Sequence, residues 1–313
     1  MVSICCQVFN QEQYLKDCLD GFLLQETQFP FEVLVHDDAS SDQSPTIIRD
    51  YVNRYPGLFH PIYQSENQLS RHVNIWTSIQ FPRAKGKYIA ICEGDDYWTD
   101  PHKLQKQVDY LEAHPDTVMC CSAFTQSFNG NEDAKKEVRF DISEIGLEHI
   151  LRGYWIGTLT VVFRKSAIED YRDPFPDLPM GDLPVWGHLA QKGKIKYLSD
   201  ITANYRSLSS SACHFLDEKK EIVFQVEAMR VREYYARANG LLAVASPSFS
   251  KKAHFYFDTI YKNKWLDFSL GKVWHFLEKY GNPSGYDRLK HWGLRSEFNY
   301  TISRRVLRLL HKG

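Results

Sequence analysis

The sequence lacks any long apolar segment, because no run in its 313 residues reaches the roughly 20 apolar positions needed to span a bilayer. It also opens without a basic stretch or a small-residue cleavage signal, so residues 2–6 predict a first strand rather than an export leader. The seven cysteines form an odd set with no CxxC spacing, and several lie inside apolar runs where cysteine packs as a small hydrophobe. We therefore expect a reduced, cytoplasmic protein whose membrane contact is at most peripheral.

Excess charge of one sign is also absent, since the formal net charge is -1. With 43% hydrophobic and 25% charged residues, and with no repeat or low-complexity segment, the composition excludes a disordered or fibrous chain. The charge is unevenly placed, however, because residues 251–313 contain 13 Lys and Arg against 5 Asp and Glu. This basic tail predicts contact with something anionic, such as a membrane surface, or a helix with a solvated basic face.

The first 124 residues alternate short apolar runs with amphipathic ones. Strands are predicted at 2–8, 31–36, 60–63, 87–92 and 117–124, with helices over 11–26, 44–55, after residue 71 and over 101–114. Such alternation favours βαβ units and a mostly parallel sheet. Further strands are predicted at 156–163 and 194–198, and the pattern from residue 217 onward is helical.

Two acidic clusters follow predicted strands: HDDASSD at residues 36–42 and EGDD at residues 93–96. Ligands of open parallel sheets bind beyond the carboxyl ends of the strands, so both clusters are expected to line one crevice. Crowded carboxylates repel one another unless a cation or hydrogen-bond donors compensate. A hard divalent ion with oxygen ligands, Mg²⁺ or Mn²⁺, is one solution. Taken alone, the first cluster also fits an Asx turn with a helix cap, and the second fits a solvated loop.

Taken together, the clusters and their neighbours resemble the family 2 glycosyltransferases. The resemblance covers about residues 1–210 and rests on QVFN (7–10), VHDDASSD (35–42), GKYIAICEGDDYW (86–98) and MGDLP (180–184). It implies a GT-A fold: a Rossmann-like α/β domain with a mixed, mainly parallel sheet flanked by helices. The implied domains are a catalytic domain over 1–215, with a nucleotide-sugar half (1–124) and an acceptor half (125–215), and a helical region over 216–313.

The resemblance also implies roles for individual residues. Asp38 is expected to contact the nucleobase, Asp95 the ribose, and Asp96 the metal ion that bridges the diphosphate. The full nucleotide-binding set comprises Gln7, Phe9, Asp37, Asp38, Arg71 and Asp95. Glu93, Tyr97 and Trp98 adjoin this motif and are predicted to contact the sugar or the acceptor. For the aromatic residues, including Trp155 and Trp186, packing in the core is the alternative.

Asp182 is the predicted general base, because the resemblance places an acidic residue at the start of a helix in the acceptor site. The alternative for an Asp before a helix is a simple N-cap. A single base on the face opposite the leaving group implies inversion at the anomeric carbon.

Residues 204–211, NYRSLSSS, resemble the loop that closes over the diphosphate in this family. Arg206 and Ser209 are the expected phosphate contacts. Many relatives have His two residues after this Arg, where this chain has Leu208, so a third metal ligand is in doubt. His214 is a substitute for that ligand or a surface residue.

The predicted function is metal-dependent, inverting transfer of a sugar from a nucleotide-diphosphate donor, a UDP-sugar, to a hydroxyl of a glycan or lipid-linked glycan, with Mn²⁺ or Mg²⁺ as cofactor. Nucleic acid is not an expected partner, and an oligomer is compatible with the sequence. One alternative is a nucleotide- or glycan-binding module without turnover. A nucleotidyltransferase is disfavoured, because residues 10–14 contain neither glycine nor a basic residue for a phosphate loop.

Overall fold

A computed structural model describes residues 1–129, 131–175, 177–208, 217–266 and 270–310. The chain divides into two compact units. The first contains Met1–Ile150 and Tyr154–His214, and the second contains Leu151–Gly153 and Phe215–Gly313.

One mixed sheet forms the centre of the first unit. Its strands are β1 (Val2–Val8), β2 (Phe31–Asp37), β3 (Phe59–Tyr63), β4 (Tyr88–Ile91), β5 (Tyr97–Trp98), β6 (Thr117–Phe128), β7 (Asn131–Val138), β8 (Glu144–Ile145), β9 (Val162–Arg164) and β10 (Lys194–Ser207). Among the described residues the order is β3-β2-β1-β4-β9-β6-β10-β5, with β7 beside β6 and β8 beside β10. The pairs β3–β2, β2–β1 and β1–β4 are parallel, so β1, β2 and β4 all end at one edge.

Helices cover this sheet. They are α1 (Leu15–Leu23), α2 (Ser44–Arg54), α3 (Phe81–Arg83), α4 (Lys103–Ala113), α5 (Leu147–Arg152) and α6 (Asp182–Lys192), with single turns at Leu69–Arg71, Trp76–Gln80, Thr158–Thr160 and Lys165–Ala167. The strands of the parallel half are almost wholly apolar because they are buried on both faces. Val2, Ile4, Leu19 and Val33 are fully buried in one shared cluster.

The predicted fold class is confirmed as a mixed α/β architecture with a helical C-terminal part. Several element bounds differ from the prediction. The helix expected over 11–26 begins only at Leu15, because residues before it form a turn that bonds to the loop after β2. β7 was not predicted, since its polar sequence NEDAKKEV pairs along β6 without an alternating apolar face.

The second unit is helical, with α7 (Glu218–Ala238), α8 (Leu242–Lys262), α9 (Leu270–Phe276), α10 (Gly285–Gly293) and α11 (Glu297–Leu310), and a π-turn at Leu277–Gly281. Glu233 of α7 is largely buried and accepts hydrogen bonds from Arg237, Lys279 and Tyr280. Within the described ranges, none of the helices is both long and apolar enough to cross a membrane.

Lys103, in the first turn of α4, is fully buried against the Trp98 ring. Its ammonium donates to Gln107 Oε1 at 2.8 Å and to the carbonyl oxygen of Thr160 at 3.2 Å, and it lies 4.5 Å from the ring centre of Trp98. Burial lowers the pKa of Lys103 to about 7. Because burial disfavours the charged ammonium, Lys103 lowers the free energy of unfolding at neutral pH.

We expect Lys103→Met to remove part of the rise in stability between pH 7 and 9. An unfolded lysine titrates at about 10.4, so over this interval the unfolded chain binds more protons than the folded one, and the free energy of unfolding increases with pH. The slope is at most about 1.4 kcal/mol per pH unit, or roughly 2 to 3 kcal/mol over the interval. Urea unfolding at pH 7, 8 and 9 measures it. Lys85→Met, at an exposed lysine, serves as the control and should keep the wild-type slope. An unchanged slope in Lys103→Met would contradict this account.

Candidate active site

The loops after β1 and β2 are bonded to each other. Asn10 Oδ1 accepts a hydrogen bond from the Ser41 N–H at 2.8 Å. The carboxylate of Asp42 accepts from the N–H of Glu12 and from that of Ser44, both at 2.9 Å. Asp42 therefore stabilises the loop and the start of α2. This is the Asx-turn and capping function that the sequence also allowed for this acidic cluster.

Asp38 is fully buried at the end of β2, and its carboxylate holds a neighbouring segment. One oxygen accepts from the Gln68 N–H at 2.7 Å and the other from the Leu69 N–H at 3.1 Å. These bonds fix the turn Leu69–Arg71, although the Arg71 side chain is exposed and pairs with Glu66. The structure thus brings the Arg71 segment to Asp38 but leaves the Arg71 guanidinium at the surface.

The remaining predicted nucleotide contacts differ in exposure. Phe9, at the end of β1, is 44% exposed and presents a free aromatic surface beside this loop. Gln7 is partly buried, and its carbonyl oxygen accepts from the Gly94 N–H at 2.9 Å. Asp37 is buried, and its Oδ1 makes no hydrogen bond among the described residues. Burial raises the pKa of Asp37.

The turn of the EGDD motif lies directly against β1. A Cβ at Gly94 would approach Gln11 Oε1 to 2.6 Å and Val8 Cγ2 to 3.0 Å. A larger residue here would therefore displace the Gln11 side chain and crowd Val8, so the small size of glycine, rather than an unusual backbone angle, suits this position. The approach brings the carboxylates that flank Gly94 to the same edge as the loop after β2.

Four carboxylates share this region and disturb one another. Burial, followed by the negative charges of Asp95 and Asp182, raises the pKa of Glu93 to about 8. Burial, followed by Asp95 and Glu93, raises the pKa of Asp96 well above its usual range. The turn Thr158–Thr160 links the predicted base to the motif, because Thr158 donates to Asp182 and Trp98 donates to the Leu159 carbonyl oxygen, although 89 residues of sequence separate Asp182 from Glu93.

Asp182 begins α6 and makes two hydrogen bonds. Its Oδ1 accepts from the Leu183 N–H at 2.8 Å, and its Oδ2 accepts from the hydroxyl of Thr158 at 3.2 Å. Burial raises the pKa of Asp182, and these donors oppose the rise. Trp186, one helical turn later, is buried, and its indole also opposes the rise in the pKa of Asp182.

Arg206 and Tyr97 pack together beside the motif. The Arg206 guanidinium carbon lies 4.4 Å from the centre of the Tyr97 ring. The main-chain N–H of Arg206 donates to Asp96 Oδ1 at 2.7 Å, and the second Asp96 oxygen has no hydrogen bond among the described residues. Lys135 donates to the Tyr97 hydroxyl at 2.8 Å.

Trp98 occupies a position that does not suit the predicted sugar contact. It is 1% exposed, packs edge-on against Phe22 at 4.9 Å, and donates its indole N–H to the carbonyl oxygen of Leu159 at 2.8 Å. Neighbouring residues of a strand point to opposite faces, so Tyr97 is left partly exposed while Trp98 enters the core. By contrast, Trp155 is 42% exposed.

Two predicted residues, Ser209 and His214, lie outside the described residues. In the part of the chain that is described, no group of three or more His, Cys, Asp or Glu side chains is arranged to hold a metal ion. Thr158 and Asp17, which contact Asp182 and Arg206, were not predicted. These partners are 24 and 189 residues apart, and no local pattern signals such contacts.

Residues 3–170 match the model of glycosyl transferase family 2. An uncharacterised protein of Mycobacterium tuberculosis is 37% identical over 229 residues, which are 70% of this chain and 63% of that protein. A candidate teichuronic acid biosynthesis glycosyltransferase of Bacillus subtilis, TuaG, is 25% identical over 67% of this chain and 81% of its own length. The chain therefore belongs to the family 2 glycosyltransferases, and it spans 63% of the length of the mycobacterial relative.

Solved structures share the fold. Residues 1–349 of S. aureus TarS in complex with UDP superpose with a TM-score of 0.66 at 16% identity, covering 98% of this chain and 91% of that one. A mannosyltransferase from Pyrobaculum calidifontis in complex with GDP-Man and Mn²⁺ gives a TM-score of 0.52 at 16% identity, covering 81% and 75%. At this level of identity the likeness concerns the fold alone.

Proposed function

We propose that this glycosyltransferase moves a sugar from a UDP-sugar to a hydroxyl of a glycan or lipid-linked glycan, with inversion at the anomeric carbon. The observation that carries the proposal is the turn Thr158–Thr160, which contacts both Asp182 and the end of the acidic motif: the Thr158 hydroxyl donates to Asp182 at 3.2 Å, and the Trp98 indole donates to the Leu159 carbonyl oxygen at 2.8 Å. These contacts support a site in which Asp182, as the base, faces the carboxylates of the motif at residues 93–96.

In this mechanism Asp182 accepts the proton of the attacking acceptor hydroxyl. Its raised pKa makes the ionised carboxylate a better base than an exposed Asp, while Thr158 and the Leu183 N–H hold it in one orientation. Attack from the side opposite the nucleotide gives a product of inverted configuration in a single displacement.

Although no group of three metal-ligating side chains is arranged for an ion among the described residues, the acidic motif offers the oxygen donors that a divalent cation prefers. Glu93, Asp95 and Asp96 supply only oxygen atoms, and Asp96 keeps one oxygen outside hydrogen bonds with the described residues. Burial, and then the repulsion between these carboxylates, raises the pKa of Glu93 and of Asp96. Mn²⁺ or Mg²⁺ prefers such ligands. The ion would rest on Asp96, as the resemblance implies, and would neutralise charge on the leaving diphosphate. The complex of the Pyrobaculum mannosyltransferase with Mn²⁺ supports a metal requirement.

The donor and acceptor classes rest on the relatives. TarS was crystallised with UDP and with UDP-GlcNAc, which supports a UDP-sugar here. The name of TuaG refers to teichuronic acid biosynthesis, which supports a cell-surface polysaccharide as acceptor. On α11, Arg304 and Arg305 are exposed while Ser303 and Leu307 are buried, so the proposal includes peripheral contact of this helix with an anionic membrane.

A donor screen tests the proposal. UDP-, GDP- and dTDP-sugars are incubated with the protein with and without Mn²⁺, and thermal stabilisation and donor hydrolysis are measured. We expect one UDP-sugar to stabilise the protein and to be hydrolysed only with Mn²⁺. Binding without hydrolysis of any donor would favour the binding module, and no binding with Mn²⁺ would refute the proposal.

A further inference from the structure

Asp17, on the first turn of α1, contacts a buried arginine of the candidate site. The Arg206 side chain is 4% exposed, and its guanidinium donates to the carboxylate of Asp17 and, at 3.0 Å, to the carbonyl oxygen of Asp95. Asp17 itself is 55% exposed. An exposed ion pair contributes little, but removing the partner of an enclosed charge costs more than the pair contributes.

Two aromatic rings enclose the same guanidinium. Its central carbon lies 4.4 Å from the Tyr97 ring centre and 5.1 Å from the Tyr14 ring centre. A planar cation between aromatic faces and a carboxylate has few alternative orientations, because each contact fixes a different direction. Arg206 is thus held by α1 and by the residue that follows the acidic motif.

The main chain of the same residue reaches the motif itself. The Arg206 N–H donates to Asp96 Oδ1 at 2.7 Å. In addition, β5 pairs with β10 through Tyr97 and Asn204, so the strand that carries Arg206 is in register with the motif. A shift of Arg206 would therefore move the Asp96 carboxylate directly.

We propose that Asp17 is a positioning residue for the donor site. Its carboxylate holds the Arg206 side chain in place, and the main-chain N–H of Arg206 in turn orients the Asp96 carboxylate. The inference rests on the proposed function, because it concerns the affinity of that site for Mn²⁺ and a nucleoside diphosphate. The Arg206 guanidinium then has a role within the protein in addition to the diphosphate contact that the sequence predicts.

The test uses the full chain and the variants Asp17→Asn, Asp17→Glu, Arg206→Met and the double variant Asp17→Asn/Arg206→Met. Asp109→Asn, an exposed carboxylate on α4, is the matched control. Binding of Mn²⁺ at saturating UDP is measured by electron paramagnetic resonance of the free ion. Thermal unfolding of the metal-free proteins shows that each variant folds, and donor hydrolysis separates kcat from the half-saturating Mn²⁺ concentration.

We expect Asp17→Asn to weaken Mn²⁺ binding by about tenfold, the size typical of residues that orient a metal ligand, while kcat at saturating Mn²⁺ changes by less than about threefold. Asp17→Glu should restore most of the affinity, and Asp109→Asn should match the wild type. The double variant should bind no worse than Arg206→Met, because both substitutions remove the same support.

Wild-type affinity in Asp17→Asn would overturn the inference, and so would losses that multiply in the double variant. An equal loss in Asp109→Asn would also overturn it by showing a general effect of charge. If the wild type binds Mn²⁺ with neither UDP nor GDP, the proposed function fails and the inference fails with it. If instead the wild type and Asp17→Asn bind Mn²⁺ equally well, the inference about Asp17 fails and the proposed function stands.

Discussion

Asp182→Asn is expected to lower the rate of sugar transfer by roughly 10² to 10⁴-fold while leaving donor binding nearly unchanged. Asparagine has the same shape and still accepts from the Leu183 N–H, but it cannot take the proton of the acceptor hydroxyl. Single-turnover hydrolysis of the selected donor gives the rate, and calorimetric titration with UDP and Mn²⁺ gives the affinity. Asp177→Asn, an exposed carboxylate of the preceding loop, should retain the wild-type rate.

The pH profile separates a general base from a structural cap. The rate must rise with pH as Asp182 loses its proton, and burial moves this rise above the usual range of an aspartate. Thr158→Val removes a hydrogen bond that lowers the pKa of Asp182, so the midpoint of the rise should move to higher pH. A purely structural Asp182 would leave the midpoint unchanged in Thr158→Val, and that outcome would contradict the assignment.

Asp96→Asn is expected to reduce Mn²⁺-dependent binding of the nucleotide by roughly a hundredfold or more. This loss is larger than the one typical of residues that only hydrogen-bond to a metal ligand. The amide oxygen still accepts from the Arg206 N–H, so the substitution removes the charge and leaves the local bonding. Titration of UDP with and without Mn²⁺ measures the loss. Asp200→Asn, a half-exposed carboxylate paired with Lys106, should bind as the wild type does.

The same substitution should stabilise the metal-free protein. The pKa of Asp96 is raised in the folded state, so ionisation at neutral pH opposes folding, and a neutral amide removes that opposition. Thermal unfolding without metal is therefore expected at a higher temperature in Asp96→Asn than in the wild type. Retained Mn²⁺-dependent binding in this variant would refute the proposed metal position, whatever its thermal stability.

Much of the structure of residues 1–124 was predictable because its signals are local. The apolar run before Glu93 and the proline after Asp100 predict a strand, a loop and a helix in that order, and the structure contains β4, the motif and α4. The alternation of strands and helices likewise predicts a parallel sheet whose strand ends meet. These inferences require only neighbouring residues and the geometry of βαβ units.

Side-chain environments in the site were less predictable. Tyr97 and Trp98 are adjacent and both aromatic, yet one lies at the surface of the site and the other donates to Leu159 in the core. Their difference depends on the pairing of β5 with β10, whose residues lie more than a hundred positions later. Composition and spacing do not specify that pairing.

By itself, the sequence determined the family, the parallel order of the first strands and the position of the acidic motif at a strand end, because short-range periodicity and turn chemistry encode them. Only the tertiary structure decided that Thr158 bonds to Asp182, that Trp98 is a core residue and that Asp17 bonds to Arg206. Those contacts arise when distant segments pack to bury apolar surface and to compensate enclosed charges, so they depend on the whole fold rather than on any one stretch of it.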